Sequence, residues 1–518
     1  MMRSPSLAFA CLLIASVAAA AAPATSPWAR PGPDGRLTYR ADERGNTIPD
    51  FSRAGYGGGG VALPVLPVVR TLAPAPSGDD GERIQQALDE VGALPPDARG
   101  FRGAVLLQRG VYRVAGQLRV RASGVVLRGE GQGTDGTVIL GTGKTKRILL
   151  YVGASGVRRE EVRGTRRKVT DAYVPWSTHR LMVERTDGLA VGDRVVVHRP
   201  STAEWIRELG MDRIRNRPNT PPGTTKMWEA GSYDLHIERT ITAIDGRQLT
   251  FDAPIMIALD ERFGGASVYA YRHARNRENG VENLRLVSEY ERGRETSDED
   301  HAETAIHLDH VENGWVRDVT VQHFSGGILS RYDALFTTIQ DCTYLEPVSV
   351  ITGGRRYSFV LDGQYGLVLR CNATEARHGF MTGARVRGPN VFLDGASLKS
   401  HSDSGPHHRW AVGILYDNIR DSKELNVQDR QYAGSGHGWA GGQNVFWNCI
   451  SPSIVVQQPP TAQNYAIGNI GEITPGQWNK DAALGVIDSH GQPVAPRSLY
   501  LTQLAERLGP AALTAIGY

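Results

Sequence analysis

The stretch "ALFTTIQDCTY", Ala334 to Tyr344, decides the fold because the chain repeats its pattern several times after Gly280. Each copy has a short apolar strand, then a polar residue, then usually a small or sulfur-containing side chain. Periods of about 20 to 50 residues indicate solenoids or propellers. The other copies are "NGWVRDVTV" (Asn313–Val321), "YGLVLRCNAT" (Tyr365–Thr374), "GPNVFLDGAS" (Gly388–Ser397) and "GQNVFWNCIS" (Gly442–Ser451).

The polar residues of the repeat define its spacing when Asp318, Asp341, Arg370, Asp394 and Asn448 are aligned. The first steps are 23, 29 and 24 residues, and the last step, 54 residues, has room for two coils or one large loop. A propeller blade needs about four strands in about 40 residues, which is more than these steps hold. Coils of two or three short strands fit better, and they stack equivalent residues into columns about 4.8 Å apart.

The position after each aligned residue predicts a column that contains Cys342, Cys371 and Cys449. The fourth cysteine, Cys11, lies in the N-terminal apolar run, so an odd number remains once that run is removed. An odd number argues against a disulfide-stapled scaffold. We expect buried, stacked, free thiols in preference to a Cys342–Cys371 disulfide.

The N-terminus has the features of a secretory signal peptide over residues 1–21. Arg3 gives a basic start, the stretch from Leu7 to Val17 is mostly apolar, and small residues follow as a cleavage site. A membrane anchor is the alternative, but no later stretch approaches the roughly 20 apolar residues of a spanning helix. We therefore expect a secreted or periplasmic protein without a membrane partner.

The charges are nearly balanced, with 58 basic and 55 acidic residues and a net charge of +3. A nucleic-acid-binding protein would show a basic excess or stripe, so nucleic acid is not expected as a partner. Sixty glycines and 28 prolines indicate a turn-rich fold. Strand-like runs outnumber windows with helical periodicity, which favours an all-β class.

The rest of the chain divides into five segments. The stretch "GDDGERIQQALDEV" (Gly78–Val91) has one apolar face and predicts a short helix. The predicted segments are an irregular Pro/Gly-rich part at 22–76, the start of the solenoid with this helix at 77–200, a β-rich insertion at 201–255, coils with the site loops at 256–475, and a C-terminal segment at 476–518.

The opening of the solenoid resembles a known family. "DDGERIQQALDEV", "GAVLLQRGVYRV" and "GVVLRGEGQGTDGTVIL" are similar to the start of a pectate-lyase-superfamily domain, and the similarity runs from Gly78 to Leu140. The resemblance implies a single-stranded right-handed parallel β-helix with an N-terminal capping helix. It also implies a class of proteins that cleave, hydrolyse or bind polysaccharides. The metal-binding aspartates and basic motifs of pectate lyases do not align, so no catalytic residue is transferred.

Four turn segments after successive repeats are rich in titratable and aromatic side chains. Loops that leave equivalent corners of stacked coils converge on one face, so we expect these segments to form one site. The catalytic candidates are Lys399, His401, His408, His378, Arg409 and His437, and the substrate-binding candidates are Arg355, Arg356, Glu375, Arg377, Trp410 and Trp439.

A second column of charged and titratable residues runs along the repeats. Five positions after the aligned residues the chain has His323, Glu346, Glu375 and Lys399. This column is either a solvated charge ladder at a strand end or one wall of a substrate groove.

The candidate residues favour a polysaccharide lyase. Elimination at a 1,4-linked uronate needs a cation for the charge that develops on the carboxylate, and a base for the C5 proton. Arginine forks suit carboxylates, while histidine or lysine can act as the base. One alternative is a glycoside hydrolase, which needs two carboxylates at the scissile bond; the available carboxylates are Glu346, Glu375, Asp362, Asp403 and Asp417. Another is a non-catalytic glycan-binding solenoid.

No metal or cofactor is predicted as a requirement. His401, Asp403, His407 and His408 are suitable zinc ligand types, but their spacing matches no zinc motif. The stretch "SDEDHAE" (Ser297–Glu303) has the carboxylates to bind Ca²⁺, and a solvated acidic loop is the alternative.

Overall fold

A computed structural model describes residues 24–518, so the predicted signal peptide lies outside the described residues. The main body is a right-handed parallel β-helix, as predicted, in which one sheet system joins 29 strands. Each coil contributes short strands to three faces, which we call A, B and C. The chain runs from face B through face C to face A and then starts the next coil.

The strands of the three faces pair in parallel with those of the neighbouring coils. Face A contains Leu118–Val120, Arg147–Val152, Ala302–Leu308, Gly326–Ser330, Tyr357–Leu361, His378–Thr382, Asp403–Pro406 and Glu424–Val427. Face B contains Val68–Leu72, Gly103–Leu107, Val125–Arg128, Thr338–Gln340, Leu367–Leu369, Arg387–Leu393, Ala411–Asp417, Gly441–Gly442, Val445–Trp447, Tyr465–Ile467 and Val486–Asp488. Face C contains Gly110–Val114, Thr137–Gly141, Thr343–Leu345, Asn372–Thr374, Ala396–Leu398 and Arg420–Asp421. The longer strands Asn276–Ser288 and Val311–Gln322 turn from face B to face C, and Ile450–Val456 and Ile470–Ile473 turn from face C to face A.

The corner between faces B and C explains the aligned polar residues. Asp318 and Asp341 have φ values of 53° there, and Arg370, Asp394 and Asn448 also lie at positive φ. This left-handed region is one that aspartate and asparagine tolerate better than most residues. Asn418 occupies the same corner with φ 57°, so the long last step holds two coils.

The three cysteines of the predicted column confirm the stacking. Cys342, Cys371 and Cys449 are buried and free in the described part of the chain. They lie in the apolar interior between the three faces, and burial raises the pKa of Cys342 and Cys449.

One helix closes the start of the solenoid, one lies in a separate apolar core outside the coils, and two pack on the outer surface of face B. The helices are α1 (Gly81–Gly92), α2 (Ala203–Glu208), α3 (Leu499–Leu508) and α4 (Ala511–Ala515), with 3-10 turns at Tyr56–Gly58 and Glu261–Phe263. The apolar face of α1 packs on the first coils, as expected of a capping helix. The short N-terminal strands Ala24–Thr25, Ala29–Pro31 and Leu37–Tyr39 lie beside α3, α4 and the strand Val494–Ala495. Within residues 24–518, none of these helices is long and apolar enough to cross a membrane.

An antiparallel sheet is inserted in the chain between the coil strands Arg147–Val152 and Asn276–Ser288. The coil strands before and after the insertion still pair directly with each other. The strands of the inserted sheet are Glu160–Glu161, Arg167–Lys168, Arg180–Met182, Arg194–Arg199, Leu235–Asp245, Gln248–Phe251 and Ser267–Arg272, with Tyr173–Val174 pairing Leu259–Asp260 beside it. The sequence placed the insertion at 201–255, whereas the sheet takes strands from Glu160 to Arg272. Short alternating strands occur both in the coils and in the insertion, so strand patterns alone did not separate the two.

Candidate active site

A cleft of about 530 Å³ lies over face A beside the inserted sheet. Its size falls within the range of about 300–1,000 Å³ that is usual for ligand sites. The lining is cationic and aromatic, and none of the described lining residues is acidic. The lining residues are Arg217, Gly353, Gly354, Tyr357, Arg377, His407, His408, Arg430, Tyr432, Ala433, Gly434, His437 and Trp478.

The stacking of the coils places the central side chains. Tyr357 and His378 are partners at the start of neighbouring face A strands. His407 follows the next face A strand, and its N–H donates to the carbonyl of Thr382 at 2.9 Å. The ring centroid of Tyr357 lies 4.9 Å from that of His378 and 5.7 Å from that of His407, so side chains from three successive coils meet beside the cleft.

Four histidines form a compact group, which we call the histidine cluster: His378, His407, His408 and His437. The ring centroids of His378 and His407 lie 4.4 Å apart, those of His407 and His437 5.1 Å, and those of His408 and His437 4.9 Å. His378 is fully buried and His407 is 5% exposed.

Burial keeps the cluster uncharged at neutral pH. It lowers the pKa of His407 well below its usual value, the pKa of His408 to about 4 and that of His437 to about 2. Neighbouring arginines and histidines lower these pKa values further. In the described structure each of the four rings also has one buried nitrogen without a hydrogen-bond partner. A neutral ring nitrogen of this kind can accept a proton or a hydrogen bond.

A buried ion pair between Asp403 and Arg430 lies next to the histidine cluster. The Nδ1 of His378 lies 2.8 Å from the carbonyl oxygen of Asp403, which fits donation by the ring. The Asp403 carboxylate is 2.9 Å from Arg430, and the Arg430 guanidinium lies over the ring of Trp478 at 4.6 Å. Burial alone would raise the pKa of Asp403, but Arg430 and His378 outweigh it and hold that pKa well below its usual value. Asp403 therefore fixes one histidine and one arginine in place.

Tyr357 places a hydroxyl group beside the histidine cluster. Its oxygen is 3.4 Å from the Nε2 of His407, and its ring centroid is 4.9 Å from that of His378. Burial raises the pKa of Tyr357, and nearby Arg377 offsets part of that rise. The phenol is therefore protonated at neutral pH and adjoins a neutral imidazole.

The structure brings together only some of the predicted site residues. His408, His437 and Arg377 line the cleft, and His378 lies in the cluster behind it. Arg409 does not line the cleft; it is half-buried and donates to the exposed hydroxyl of Ser435 at 2.6 Å.

Three predicted residues lie on the corner between faces C and A instead. The column of His323, Glu346, Glu375 and Lys399, all at positive φ, forms what we call the corner ladder. The Lys399 side chain is 75% exposed and pairs with Glu375 at 3.7 Å, and His401 is also exposed. None of these residues lines the cleft, so the solvated-ladder interpretation describes this column.

Arg355 and Arg356 are also engaged away from the cleft. Arg355 pairs with Glu299 at 2.8 Å. Arg356 is buried and donates to the carbonyl oxygens of Ser349 and Glu295 at 2.7 and 3.0 Å. Arg355 therefore ties the turn before Tyr357 to the acidic loop Ser297–Glu303, and Arg356 ties the same turn to Ser349 and Glu295.

Trp410 and Trp439 were predicted to bind substrate, but both indole rings are buried and cannot contact a sugar. Trp410 is fully buried and its ring meets Trp205 of the inserted sheet domain edge-on at 4.9 Å. Trp439 is 4% exposed and donates from Nε1 to the carbonyl of Leu209 at 3.2 Å. Both tryptophans anchor the insertion to the coils.

Sequence reasoning missed several lining residues: Tyr357, Arg430, Tyr432, Trp478 and Arg217. A signal existed for Tyr357, because "RRYSFVL" and "ARHGFMT" align as successive strands that pair Tyr357 with His378. Long turns outside the repeat carry Arg430, Trp478 and Arg217. The repeat pattern therefore could not predict which residues these three lie beside.

The carboxylates considered for a hydrolase do not meet in this cleft. Asp362 pairs with Arg331 at 2.9 Å, and Asp417 accepts from the Ser498 hydroxyl at 2.7 Å. Asp403 is committed to Arg430, and Glu346 and Glu375 belong to the corner ladder.

Two groups in the described residues have the ligand types for a metal ion. One is His378, Asp403 and His407, and the other is Glu238, His273 and Asp333. Each carboxylate cluster already contains a guanidinium, since Arg430 pairs with Asp403 and Arg275 pairs with Glu238 at 2.8 Å. A metal ion would have to displace or tolerate that positive charge, so neither group fits one well. In the acidic loop Glu299 is occupied by Arg355, and calcium binding there stays a prediction.

Comparison with solved structures finds phage tailspike proteins at low similarity. The tailspike gp49 of Pseudomonas phage LKA1 is 14% identical with a TM-score of 0.47, covering 76% of this chain and 56% of that one. A tailspike of Acinetobacter baumannii bacteriophage AP22, solved with a capsular saccharide, is 11% identical with a TM-score of 0.39, covering 80% and 63%. The tailspike of E. coli bacteriophage HK620, solved with a pentasaccharide, is 9% identical with a TM-score of 0.39, covering 78% and 55%.

The chain thus spans 55% to 63% of the length of these tailspikes. Similarity at this level carries no argument about activity, and the fold assignment rests on the strand pairing above. No protein-family model matches the chain, and no curated protein matches it in sequence. Membership of the pectate-lyase superfamily stays a prediction.

Proposed function

We propose that this protein cleaves a uronate-containing polysaccharide by β-elimination in the face A cleft. The observation that carries the proposal is the composition of the cleft, which offers arginine, neutral histidine and tyrosine but no described acidic lining residue. An anionic ligand gains from such a lining, because no fixed negative charge opposes it.

Arg377 is assigned to the carboxylate of the sugar that loses its proton. Removing the C5 proton moves negative charge onto that carboxylate, and a guanidinium fork stabilises it through two parallel hydrogen bonds. Arg377 is suited to this role because its observed hydrogen bond goes to the carbonyl of Gly353, which leaves other N–H groups free.

Tyr357 and His407 are assigned to the proton transfers. The neutral imidazole of His407 takes the C5 proton, and the electrons of that C–H bond form the C4–C5 double bond. The C4–O4 bond breaks, and the Tyr357 phenol gives its proton to the departing oxygen. The 3.4 Å separation of the two side chains lets a proton return from His407 to Tyr357 after the reaction.

Binding without cleavage is the second candidate, and the pKa values favour it. A general base works best when its pKa lies near the operating pH. The pKa of His408, about 4, and that of His437, about 2, belong to weak bases. In that case the same rings would accept hydrogen bonds from sugar hydroxyls.

Export to the periplasm or medium, where such polymers occur, rests on the predicted signal peptide.

The product distinguishes the candidates. Elimination leaves a 4,5-unsaturated sugar that absorbs in the ultraviolet, whereas hydrolysis and binding do not. We expect the mature chain to produce this absorbance from at least one of polygalacturonate, alginate and hyaluronan. Replacing Tyr357 by Phe should lower the rate about 100-fold while the substrate still binds, because only the transferable proton is lost. Saturated products, or binding without any cleavage, would remove the lyase assignment.

A further inference from the structure

The inserted sheet domain reaches the cleft through one segment. This insert segment, Met211–Trp228, lies against the cleft turn, Asp429–Ala440, which carries five of the lining residues named above. The N–H of Lys226 donates to the carbonyl of Ser435 at 2.9 Å. The insertion thereby forms part of the cleft wall.

The cleft turn is shaped to fit the insert segment. Gly436 and Gly438 have φ values of 100° and 57°, which other residues rarely adopt. A Cβ on Gly436 would lie 2.2 Å from the carbonyl oxygen of Lys226, and one on Gly438 would lie 2.3 Å from the sulfur of Met211. Two glycines of the "GSGHG" motif are therefore required by close contact with the insertion.

The insert segment also contributes a charge. Arg217 lines the cleft and donates from Nη2 to the carbonyl of Gly434 at 2.9 Å. Arg377 on the other side makes the same kind of contact with Gly353. Within residues 24–518, neither guanidinium has a carboxylate at salt-bridge distance.

The third lining arginine is different, because Asp403 neutralises Arg430. The cleft therefore presents two uncompensated positive charges, from two separate elements. A ligand with one negative group can satisfy only one of them.

We infer that Arg217 is a specificity-determining residue that binds a second acidic group of the bound saccharide. The preferred ligand then carries at least two negative charges on different sugar units, one at Arg377 and one at Arg217. This inference rests on the proposed function for the identity of the ligand as an acidic saccharide.

The test measures binding, so that it does not depend on cleavage. Calorimetric titrations would use the full mature chain carrying Tyr357→Phe, with mono- and trimeric galacturonate, mannuronate and glucuronate as probes. Arg217→Ala should weaken the best-bound trimer about tenfold and leave the monomer within about twofold, because only the trimer reaches Arg217. Arg217→Lys should restore part of the loss.

Arg213→Ala is the matched control. Arg213 lies in the same insert segment, is 66% exposed, pairs with Asp212 at 3.1 Å and does not line the cleft, so its loss should change neither affinity. Equal losses for monomer and trimer, no loss for the trimer, or no binding of any trimer would overturn the inference. Selective trimer binding that needs Arg217, with no unsaturated product from the unmodified chain, would uphold it while removing the lyase assignment.

Discussion

The corner ladder and the histidine cluster contain similar side chains, but the fold treats them in opposite ways. Ladder residues such as Lys399 and Glu375 project from a coil corner into solvent and pair with each other. The cluster residues His378 and His407 come from successive coils too, but they are buried and keep ring nitrogens without partners in the described structure.

The difference shows that a rich supply of titratable residues does not identify a site. Exposed ion pairs contribute at most about 1 kcal/mol to stability, because water screens the attraction between their charges. Buried polar groups are costly unless they are satisfied, so a cluster with unsatisfied nitrogens indicates a place where a ligand completes the hydrogen bonding. This contrast favours the cleft, and not the ladder, as the functional site.

The largest expected effect is a loss of stability, and it tests whether a buried residue near the cleft serves folding or ligand binding. Trp410 is as buried as His378 but belongs to the contact between the coils and the insertion. Trp410→Ala should lower the free energy of unfolding by about 4 kcal/mol through the cavity it leaves. Chemical denaturation measures this loss. An unchanged stability with weakened glycan binding would return Trp410 to the role of a sugar platform.

The next effect compares a buried ion pair with an exposed one. Arg430→Ala strands the Asp403 carboxylate in the interior and should cost about 3 kcal/mol of stability. The control is Arg497→Ala, which breaks the pair with Asp394 at 2.8 Å on the surface. That change should cost at most about 1 kcal/mol. Equal losses from the two variants in denaturation curves would contradict the account of Asp403 as a buried support.

A pH-dependent effect concerns a buried carboxyl group, Asp417, without a cationic partner in direct contact. Burial raises the pKa of Asp417 to about 7, although Ser498 and the N–H of Tyr500 partly offset this, and nearby Asp394 and Arg497 act in opposite directions. The folded state therefore holds this proton more tightly than the unfolded state does. Its contribution to stability is complete below about pH 4 and is lost as the pH rises towards 7, by at most about 1.4 kcal/mol per pH unit.

Asp417→Asn should remove that pH dependence. Melting temperatures of both proteins between pH 4 and pH 8 give the comparison, and the unmodified chain should lose stability relative to the variant as the pH rises. Parallel curves for the two proteins would show that Asp417 titrates normally.

The repeat made the solenoid predictable from the sequence. Corner residues such as Asp318 and Asp341 and the column of Cys342 and Cys371 recur because each coil meets the same steric demands. A period of this kind fixes both the class of fold and which residues lie above one another.

The site was only partly predictable, because the repeat does not describe the turns. Lys399 and His408 follow face C and face A strands respectively, and that difference of one corner decides which side chain reaches the cleft. Arg217 lies about 200 residues before Arg430 on a long turn of the insertion, and only the packing of the insertion brings both to one cavity. No local pattern in the sequence records that contact.

The most direct test of the central claim compares His407 with His401, because the sequence analysis named His401 as a catalytic candidate and gave His407 only as a possible zinc ligand type. His407→Gln and His401→Gln make the same chemical change, one in the buried cluster and one on an exposed turn. On the uronate polymer that the chain cleaves, the rate of unsaturated product should fall about 100-fold or more for His407→Gln and stay within about twofold for His401→Gln. Equal rates for the two variants, or a loss confined to His401→Gln, would contradict the placement of the chemistry in the cleft.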